Sequence, residues 1–177
     1  MYVDDRNVKQ PEAKAGSGVK LLLDKLVESD ITFAASLPDS WVNDVVVGVE
    51  EDDRFKSVIV NREESAIALC AGSFFAGVKS VAIMGTSGFM ASIYAITKVC
   101  YTYQIGFPII FTVRGTITDT APNHQSHAEV FERTRLALGI DMLTLDHESD
   151  FDAIPAACYH ARIVKRPTLI GITNQLP

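Results

Sequence analysis

Two adjacent carboxylates, Glu63 and Glu64, precede a segment that is otherwise almost wholly apolar. That segment, residues 65–72, follows a strand-like apolar run that ends at Val60. The dipole of a helix stabilises a carboxylate in its first turn, which by itself accounts for one exposed glutamate. A carboxyl group between a buried strand and a buried helix is costly to ionise, and it can therefore hold or share a proton near neutral pH. The position favours an acid or a base.

A second chemical feature is the turn Gly85-Thr86-Ser87-Gly88, which separates an apolar run from a helical pattern. A nucleophile elbow needs Gly-x-Ser-x-Gly, but Phe89 occupies the final glycine position. The turn therefore favours the wall of a site, with a serine nucleophile as the alternative. The sequence contains neither GxGxxG nor GxxxxGK[ST], which disfavours a Rossmann enzyme and a nucleotide hydrolase.

Arg114 and two histidines form a third group of candidates. Arg114 follows an apolar strand pattern, and its guanidinium can pair with a nearby carboxylate or bind a carboxylate, sulfonate or phosphonate ligand. His124 and His127 lie in the polar stretch beyond it. They can be solvated or cap a helix, transfer a proton, or bind a substrate carboxylate. Their HxxH spacing also allows a metal site, but no third ligand is suggested.

The elements that must position these residues alternate along the chain. Apolar runs predict strands at 31–35, 55–60, 80–84, 108–113, 142–145 and 168–172. Helical spacing predicts helices at 18–29, from a cap at Asp39 or Ser40 to about 49, and at 63–76, 88–104, about 127–138 and 151–164. This alternation predicts a three-layer α/β/α fold with a six-stranded, mostly parallel sheet. Ligands of such sheets bind beyond the carboxyl ends of the strands, where these polar turns lie.

Composition narrows the function further. The 177 residues are 47% apolar and 21% charged, which excludes a disordered chain, and the net charge of −6 disfavours nucleic acid as a partner. Three scattered cysteines without a CxxC pair are typical of a reducing cytoplasm. We expect no signal peptide and no membrane span. A polar tail over residues 1–15 and a single domain over 16–177 are predicted.

The order of these motifs resembles the pyrimidine-binding domain of thiamine-diphosphate enzymes, in particular sulfopyruvate decarboxylase α subunits and phosphonopyruvate decarboxylases. The resemblance covers residues 18–177 and rests on the order and spacing of several short motifs. They are Ser36-Leu37-Pro38-Asp39, Arg62-Glu63-Glu64 with Ala71-Gly72 and Ala76-Gly77, Ser87-Gly88, and Arg114-Gly115.

The resemblance implies thiamine diphosphate as cofactor and Glu63 as the residue that activates its aminopyrimidine. In this family the activated cofactor attacks a 2-keto acid and accepts electrons as carbon dioxide leaves. The nine-residue offset to Gly72 favours Glu63 over Glu64. The remaining site residues that the resemblance and the turns suggest are Pro38, Thr86, Ser87 and Gly88 for the cofactor, Asp39 and Arg114 for the substrate, and His124 and His127 for catalysis.

A second polypeptide is also implied. The family holds the diphosphate and Mg²⁺ through Gly-Asp-Gly and Asn-Asn sequences, and neither occurs here. We therefore expect a β subunit that supplies this domain and an α/β hetero-oligomer acting on a small 2-keto acid such as sulfopyruvate or phosphonopyruvate. Gly85-Thr86 stands where the sulfopyruvate group often has Gln-Asn, which leaves the substrate open. A carboligase or acyl-transfer subunit, or a non-catalytic binding domain, are the alternatives.

The aromatic residues have a separate interpretation. Trp41 and the pair Phe74 and Phe75 are predicted to lie in the core or at a subunit interface, and not to contact the cofactor.

Overall fold

A computed structural model of the protein describes residues 17–115 and 119–173. Six strands form one sheet in the order β2-β1-β3-β4-β6-β5, and all five neighbouring pairs are parallel. The strands are β1 Phe33–Ser36, β2 Lys56–Ile59, β3 Ser80–Met84, β4 Pro108–Thr112, β5 Met142–Leu145 and β6 Thr168–Ile172. The predicted fold class is confirmed. The predicted tail, residues 1–15, lies outside the described residues.

Helices cover both faces of the sheet. They are α1 Ser17–Glu28, α2 Asn43–Glu51, α3 Glu63–Phe75, α4 Thr86–Ala91, α5 Ile93–Ala95, α6 Pro122–Leu138 and α7 Ile154–Val164. Side chains of α1, α2 and α7 pack on one face, and those of α3, α4 and α6 pack on the other. In the described part of the chain, no helix has both the length and the apolar character needed to span a membrane.

The sheet is buried on both faces because its inner strands are nearly continuous apolar runs, with polar residues only at their ends. In β3, Val81 and Ile83 belong to the core under α1 and α2, while Ala82 and Met84 belong to the core under α3 and α4. All five residues of β3, of β4 and of β6 are buried. Alternating residues of a strand point to opposite faces, so a continuous apolar run is what a sheet covered on both sides requires.

Two predicted helix starts are wrong. Helix α6 begins at Pro122, so His124 and His127 lie in its first turns and not in a loop. Proline suits the first position of a helix, because its φ is already helical and it has no N–H to leave unbonded. Helix α2 begins at Asn43 without a side-chain cap, so neither Asp39 nor Ser40 caps it.

The predicted long helix at 88–104 is interrupted. Helix α4 ends at Ala91, and the short α5 is followed by a π-helical turn at Ile96–Tyr101. The hydroxyl of Thr97 donates a 2.9 Å hydrogen bond to the carbonyl of Ile93. Such bonds to the preceding turn compete with the regular helical ladder and bend helices.

The three cysteines are free thiols in the core. Burial raises the pKa of Cys70 and Cys100 to about 12 and that of Cys158 to about 11. Thiols with such pKa values hold almost no thiolate near neutral pH, so these cysteines act as small apolar residues.

Two glycines give a matched test of the packing. A Cβ at Gly106 would lie 1.8 Å from the Ala161 carbonyl oxygen in α7, whereas a Cβ at Gly72 would meet nothing within 4 Å. We expect Gly106→Ala to lower the free energy of unfolding by about 2 kcal/mol or more, because backbone must move. Gly72→Ala, within α3, should raise it by about 0.5–1 kcal/mol. Urea unfolding measures both, and equal effects of the two substitutions would contradict the packing described.

Candidate active site

The candidate site lies where the strand order reverses. The chain leaves β1 toward β2 on one side, while β3 pairs with β1 on the other side and leads on to β4. The connections that leave the carboxyl ends of β1 and β3 therefore diverge, and in open parallel sheets this divergence creates the crevice for ligands. The turn after β1 contains Pro38 and Asp39, and the turn after β3 contains Gly85.

Glu63 is the first residue of α3, and its side chain packs on the backbone of Gly88 in α4. A Cβ at Gly88 would lie 2.4 Å from Cγ of Glu63 and 2.6 Å from its Oε1. Only glycine therefore fits at position 88 while Glu63 keeps this conformation. The Glu63 side chain is half-buried, and within the described residues its carboxylate has no hydrogen-bond partner. Its oxygens are free to bind a ligand.

The neighbouring Glu64 is bound within the protein. Its Oε1 lies 3.3 Å from Nη2 of Arg62. A hydrogen bond from its own backbone N–H, together with Arg62, holds the pKa of Glu64 below its ordinary value. Glu64 is therefore a paired carboxylate, and Glu63 is the one of the two that presents a free carboxylate.

Thr86 and Ser87 begin α4 with different roles. The buried Thr86 bonds to the end of β4: its N–H donates to the Thr112 hydroxyl at 3.2 Å, and its hydroxyl donates to the Thr112 carbonyl. These bonds fix the β3–α4 turn against the neighbouring strand. The Ser87 side chain is exposed in the first turn of α4, and no described residue bonds its hydroxyl.

Arg114 is buried and bonded to the turn after β1. Its Nη2 donates to Oδ1 of Asp39 at 3.1 Å and to the Ser40 hydroxyl at 2.7 Å. The guanidinium lies 3.3 Å from the centre of the Trp41 ring. Burial lowers the pKa of Arg114 against the attraction of Asp39, but an arginine side chain stays cationic. This cluster joins the ends of β1 and β4.

The Asp39 carboxylate also contacts the turn after β3. A Cβ at Gly85 would lie 2.6 Å from Oδ2 of Asp39. Because residue 85 is a glycine, the Asp39 carboxylate can lie against this turn, and Arg114, which is bonded to Asp39, lies with it at the edge of the crevice. Pairing of Arg114 with a carboxylate, one of the two alternatives from the sequence, is confirmed. Its Nε and Nη1 have no partner among the described residues, so donors are left for a ligand anion.

A buried aspartate attaches the histidine helix to the same edge. Asp119 accepts hydrogen bonds from the N–H groups of Gly115 at 3.0 Å and Ala121 at 3.2 Å, and its two carboxylate oxygens each lie 2.9 Å from Nδ1 of His124. Burial would raise the pKa of Asp119, but these three partners together lower it below the ordinary value. Gly115 adopts φ +77°, and a Cβ there would lie 2.2 Å from Cβ of Ala128 in α6.

His127 lies one turn after His124 on α6 and is half-buried. Within residues 17–115 and 119–173, no hydrogen bond to its ring is seen. In that part of the chain, no three His, Cys, Asp or Glu side chains lie close enough to hold a metal ion. The histidines thus lie on successive turns of α6, and Asp119 links His124 to the backbone of Gly115.

The two phenylalanines of α3 form an exposed aromatic surface with Tyr103. The ring of Phe75 lies 6.0 Å from that of Phe74 and 6.0 Å from that of Tyr103, both edge-on. Phe75 is 66% exposed. The core interpretation of this pair is therefore wrong, and the subunit-interface interpretation stays open. Trp41 is half-buried against Arg114.

Sequence reasoning missed three residues of this edge: Thr112, Ser40 as a partner of Arg114, and Asp119. Thr112 ends an apolar strand, and only its partner across the sheet reveals its role. Asp119 had a detectable signal, because aspartate shortly before a proline that begins a helix commonly bonds exposed backbone N–H groups.

Removal of the Asp119 charge should make stability depend on pH. We expect Asp119→Asn to lower the free energy of unfolding at pH 7 by roughly 1–2 kcal/mol, because buried N–H groups lose a charged acceptor. Since the folded pKa of Asp119 is depressed, its contribution is present above the ordinary value of 3.8 and is lost as the pH falls through the lower folded pKa. The difference from the unsubstituted protein should therefore shrink below about pH 4. Denaturant unfolding across pH 2.5–7 measures this difference in the free energy of unfolding, and Asp53→Asn, at an exposed position, is the control. A difference that stays constant over this pH range would contradict the role given to the Asp119 carboxylate.

The chain is similar in sequence to archaeal sulfopyruvate decarboxylases. It is 32% identical over 105 residues to the α subunit of sulfopyruvate decarboxylase from Methanocaldococcus jannaschii, which covers 59% of this chain and 62% of that protein. It is 30% identical over 89 residues to the α subunit from Methanothermobacter thermautotrophicus, covering 50% and 54%. A sulfopyruvate decarboxylase from Methanosarcina acetivorans is 28% identical over 94 residues, covering 53% of this chain and 24% of that protein.

The fold is shared with a larger enzyme. A 2-oxoglutarate:ferredoxin oxidoreductase from Magnetococcus marinus superposes with a TM-score of 0.66 at 13% identity, over 90% of this chain and 29% of that one. No protein-family model matches the chain. The resemblance predicted from the motifs is confirmed by the sequence comparisons, although the matches span only 62%, 54% and 24% of the relatives' own lengths.

Proposed function

We propose that this chain is the pyrimidine-binding α subunit of a thiamine-diphosphate-dependent 2-keto acid decarboxylase acting on a small anionic substrate such as sulfopyruvate or phosphonopyruvate. The observation that supports it most directly is the free, half-buried carboxylate of Glu63, packed on Gly88 where the strand order reverses. The similarity to sulfopyruvate decarboxylase α subunits gives independent support.

The residues of the crevice fit one end of the cofactor. When bound, thiamine diphosphate would supply the carbanion that attacks the keto carbon and would take up the electrons released with carbon dioxide. The absence of side chains at Gly85 and Gly88 lets the carboxyl groups of Asp39 and Glu63 lie directly against the β3–α4 turn, at the edge of the crevice. Pro38, Thr86 and Ser87 would line the same side. Within the described residues nothing gathers that could hold Mg²⁺.

Glu63 would hydrogen-bond a ring nitrogen of the bound aminopyrimidine and exchange a proton with it. Three features suit the residue to this role: its carboxylate has no partner among the described residues, its side chain is half-buried, and Gly88 fixes its direction. A hydrogen bond made in a site from which water is excluded is stronger than the same bond in water. Glu64, held by Arg62, has none of this freedom.

Recognition of the substrate anion would fall to Arg114. Asp39 and Ser40 hold its Nη2 in place, and Trp41 supports the guanidinium plane, so the remaining donors are oriented before a ligand arrives. Asp39 would act at this site as the residue that orients Arg114 and borders the substrate. His124 and His127 would supply proton transfer, with the His124 ring oriented by Asp119.

A β subunit would supply the site for the diphosphate and Mg²⁺, so that the complete active site forms in an α/β hetero-oligomer. Two of the relatives are named as α subunits. The exposed aromatic surface of Phe74, Phe75 and Tyr103 supports a partner, because large exposed aromatic side chains are enriched at protein interfaces. The cytoplasmic location stays a prediction.

Substitution of Glu63 tests the function. The chain is combined with a polypeptide from the same organism that carries Gly-Asp-Gly and Asn-Asn, and carbon dioxide release from sulfopyruvate is measured with thiamine diphosphate and Mg²⁺. We expect activity only from the combination. Glu63→Gln should lower kcat by about 100-fold or more, because an amide cannot exchange the proton.

Glu64→Gln is the matched control, one residue away and of the same type. It should retain activity within about threefold, since an exposed pair with Arg62 contributes little. Size-exclusion chromatography checks that both variants assemble with the partner. An assembled Glu63→Gln enzyme with nearly full activity would overturn the assignment.

The role of His127 can be tested through the pH–rate profile. We expect His127→Asn to lower kcat by about tenfold or more and to remove one limb of the pH–rate profile, because a proton donor and acceptor is lost. His160→Asn is the control. The His160 ring, on α7, bonds the Asp141 carboxylate just before β5, at the edge of the sheet opposite to the candidate site. A normal profile for His127→Asn would show that the ring takes no part in proton transfer.

A further inference from the structure

A separate cavity lies at the opposite edge of the sheet, where β3 and β4 begin. Its volume is about 340 Å³, and both Ser80 and Pro108, the first residues of these strands, line it. The candidate active site lies at the carboxyl ends of the same strands. Helix α3 connects the two edges, from Glu63 at the crevice to Phe74 in the cavity wall, over roughly 17 Å. The cavity is therefore distinct from the crevice.

The walls of the cavity are mostly apolar. The large apolar side chains of the lining are Ile31, Phe74, Phe107, Pro108, Pro155 and Tyr159. The volume lies within the range of small-molecule sites, which are typically apolar with a few polar groups that fix orientation. Three chain segments and α7 contribute to the walls, so the cavity belongs to the folded domain and not to one loop.

Among the charged residues that line the cavity, one cation has neither an ion pair nor a hydrogen bond with a described residue. Asp30 pairs with Lys79 at 2.6 Å, and the other lining acid, Glu28, lies 3.3 Å from Lys25. The remaining charged lining residue is Arg162 of α7, which has no ion pair or hydrogen bond with any residue that the structure describes. The hydrogen bond from Lys79 and the charge of Arg162 both lower the pKa of Asp30, so this carboxylate acts on the guanidinium from a distance. The N–H donors of Arg162 nevertheless have no described acceptor and are available to a ligand anion.

Besides the acids Glu28 and Asp30, the cavity lining contains further hydrogen-bond donors. Lys79 reaches the same cavity, with its Nζ also 3.5 Å from the Ser29 carbonyl. The Tyr159 side chain is 63% exposed and brings a hydroxyl to the cavity. The Cys158 thiol also lines the wall, but burial raises its pKa to about 11, so it contributes apolar surface and not a nucleophile.

We propose that this cavity binds a small organic monocarboxylate with an aromatic or branched apolar body, with the carboxylate on Arg162 and the body between Phe74, Phe107 and Tyr159. A guanidinium forms a bidentate pair with a carboxylate, and flat apolar walls suit a ring. The small, strongly polar substrates of the proposed reaction lack such a body. The ligand is therefore a different molecule, and the cavity adds a second binding site to the domain.

Nuclear magnetic resonance of the ¹⁵N-labelled full chain tests the proposal. The probes are phenylacetate, 3-phenylpropionate and indole-3-acetate, each compared with its neutral amide. We expect saturable shifts of the backbone amides of Val78, Lys79 and Gly106, and at least one carboxylate should bind about tenfold or more tightly than its amide.

Two substitutions separate charge from shape. Arg162→Gln, at an exposed side chain, should abolish the preference for carboxylate over amide, whereas Arg133→Gln on the exposed face of α6 should leave it unchanged. Val78→Trp should fill the cavity and remove binding of both probe types. The proposal is overturned if none of the three carboxylates gives saturable shifts at the cavity, if the amides bind equally well, or if Arg162→Gln retains the preference. Decarboxylase activity plays no part in these measurements, so their outcome is independent of the proposed function.

Discussion

The close approach of the Glu63 side chain to the backbone of Gly88 is the contact on which the geometry of the crevice depends. It joins the first turn of α3 to the first turn of α4, and it requires the absence of a side chain at position 88. A carboxylate confined in this way has a fixed orientation although it forms no hydrogen bond with the described residues. Packing thereby orients this carboxylate, and its oxygens have no acceptor or donor partner among the described residues.

The charged side chains at the neighbouring strand ends are held by hydrogen bonds, in contrast to Glu63, which is held by packing. Arg114 and Asp119 are both buried, and each is surrounded by polar partners: Asp39 and Ser40 for the guanidinium, and Gly115, Ala121 and His124 for the carboxylate. Buried charges need such partners, because an unpaired ion in a poorly solvated site costs several kcal/mol. These two networks hold the β1 turn, the end of β4 and the start of α6 at one edge, which leaves Glu63 as the carboxylate there without a described partner.

The sequence predicts some parts of this arrangement to the residue and fails at others for identifiable reasons. Strands β3, β5 and β6 were predicted at their observed bounds, because strands of a sheet covered on both sides are short apolar runs between breakers. The start of α6 was missed, because Pro-Asn-His-Gln is polar and is typical of a loop. Glu63 can be recognised from its local sequence, because it is a charged residue at the start of an apolar helix. The role of Thr112 and the lining of the cavity depend on contacts between residues distant in sequence, which no local pattern reveals.

The stacking of Arg114 on Trp41 has an optical consequence. Trp41 is the only tryptophan in the sequence, so the indole emission of the whole chain originates at this one ring. A cation lies 3.3 Å from the ring centre, and the emission of an indole is sensitive to nearby charge and to water. The fluorescence of this protein therefore reports on the Arg114 side of its crevice without any added dye. The cavity at the opposite edge of the sheet lies away from this tryptophan.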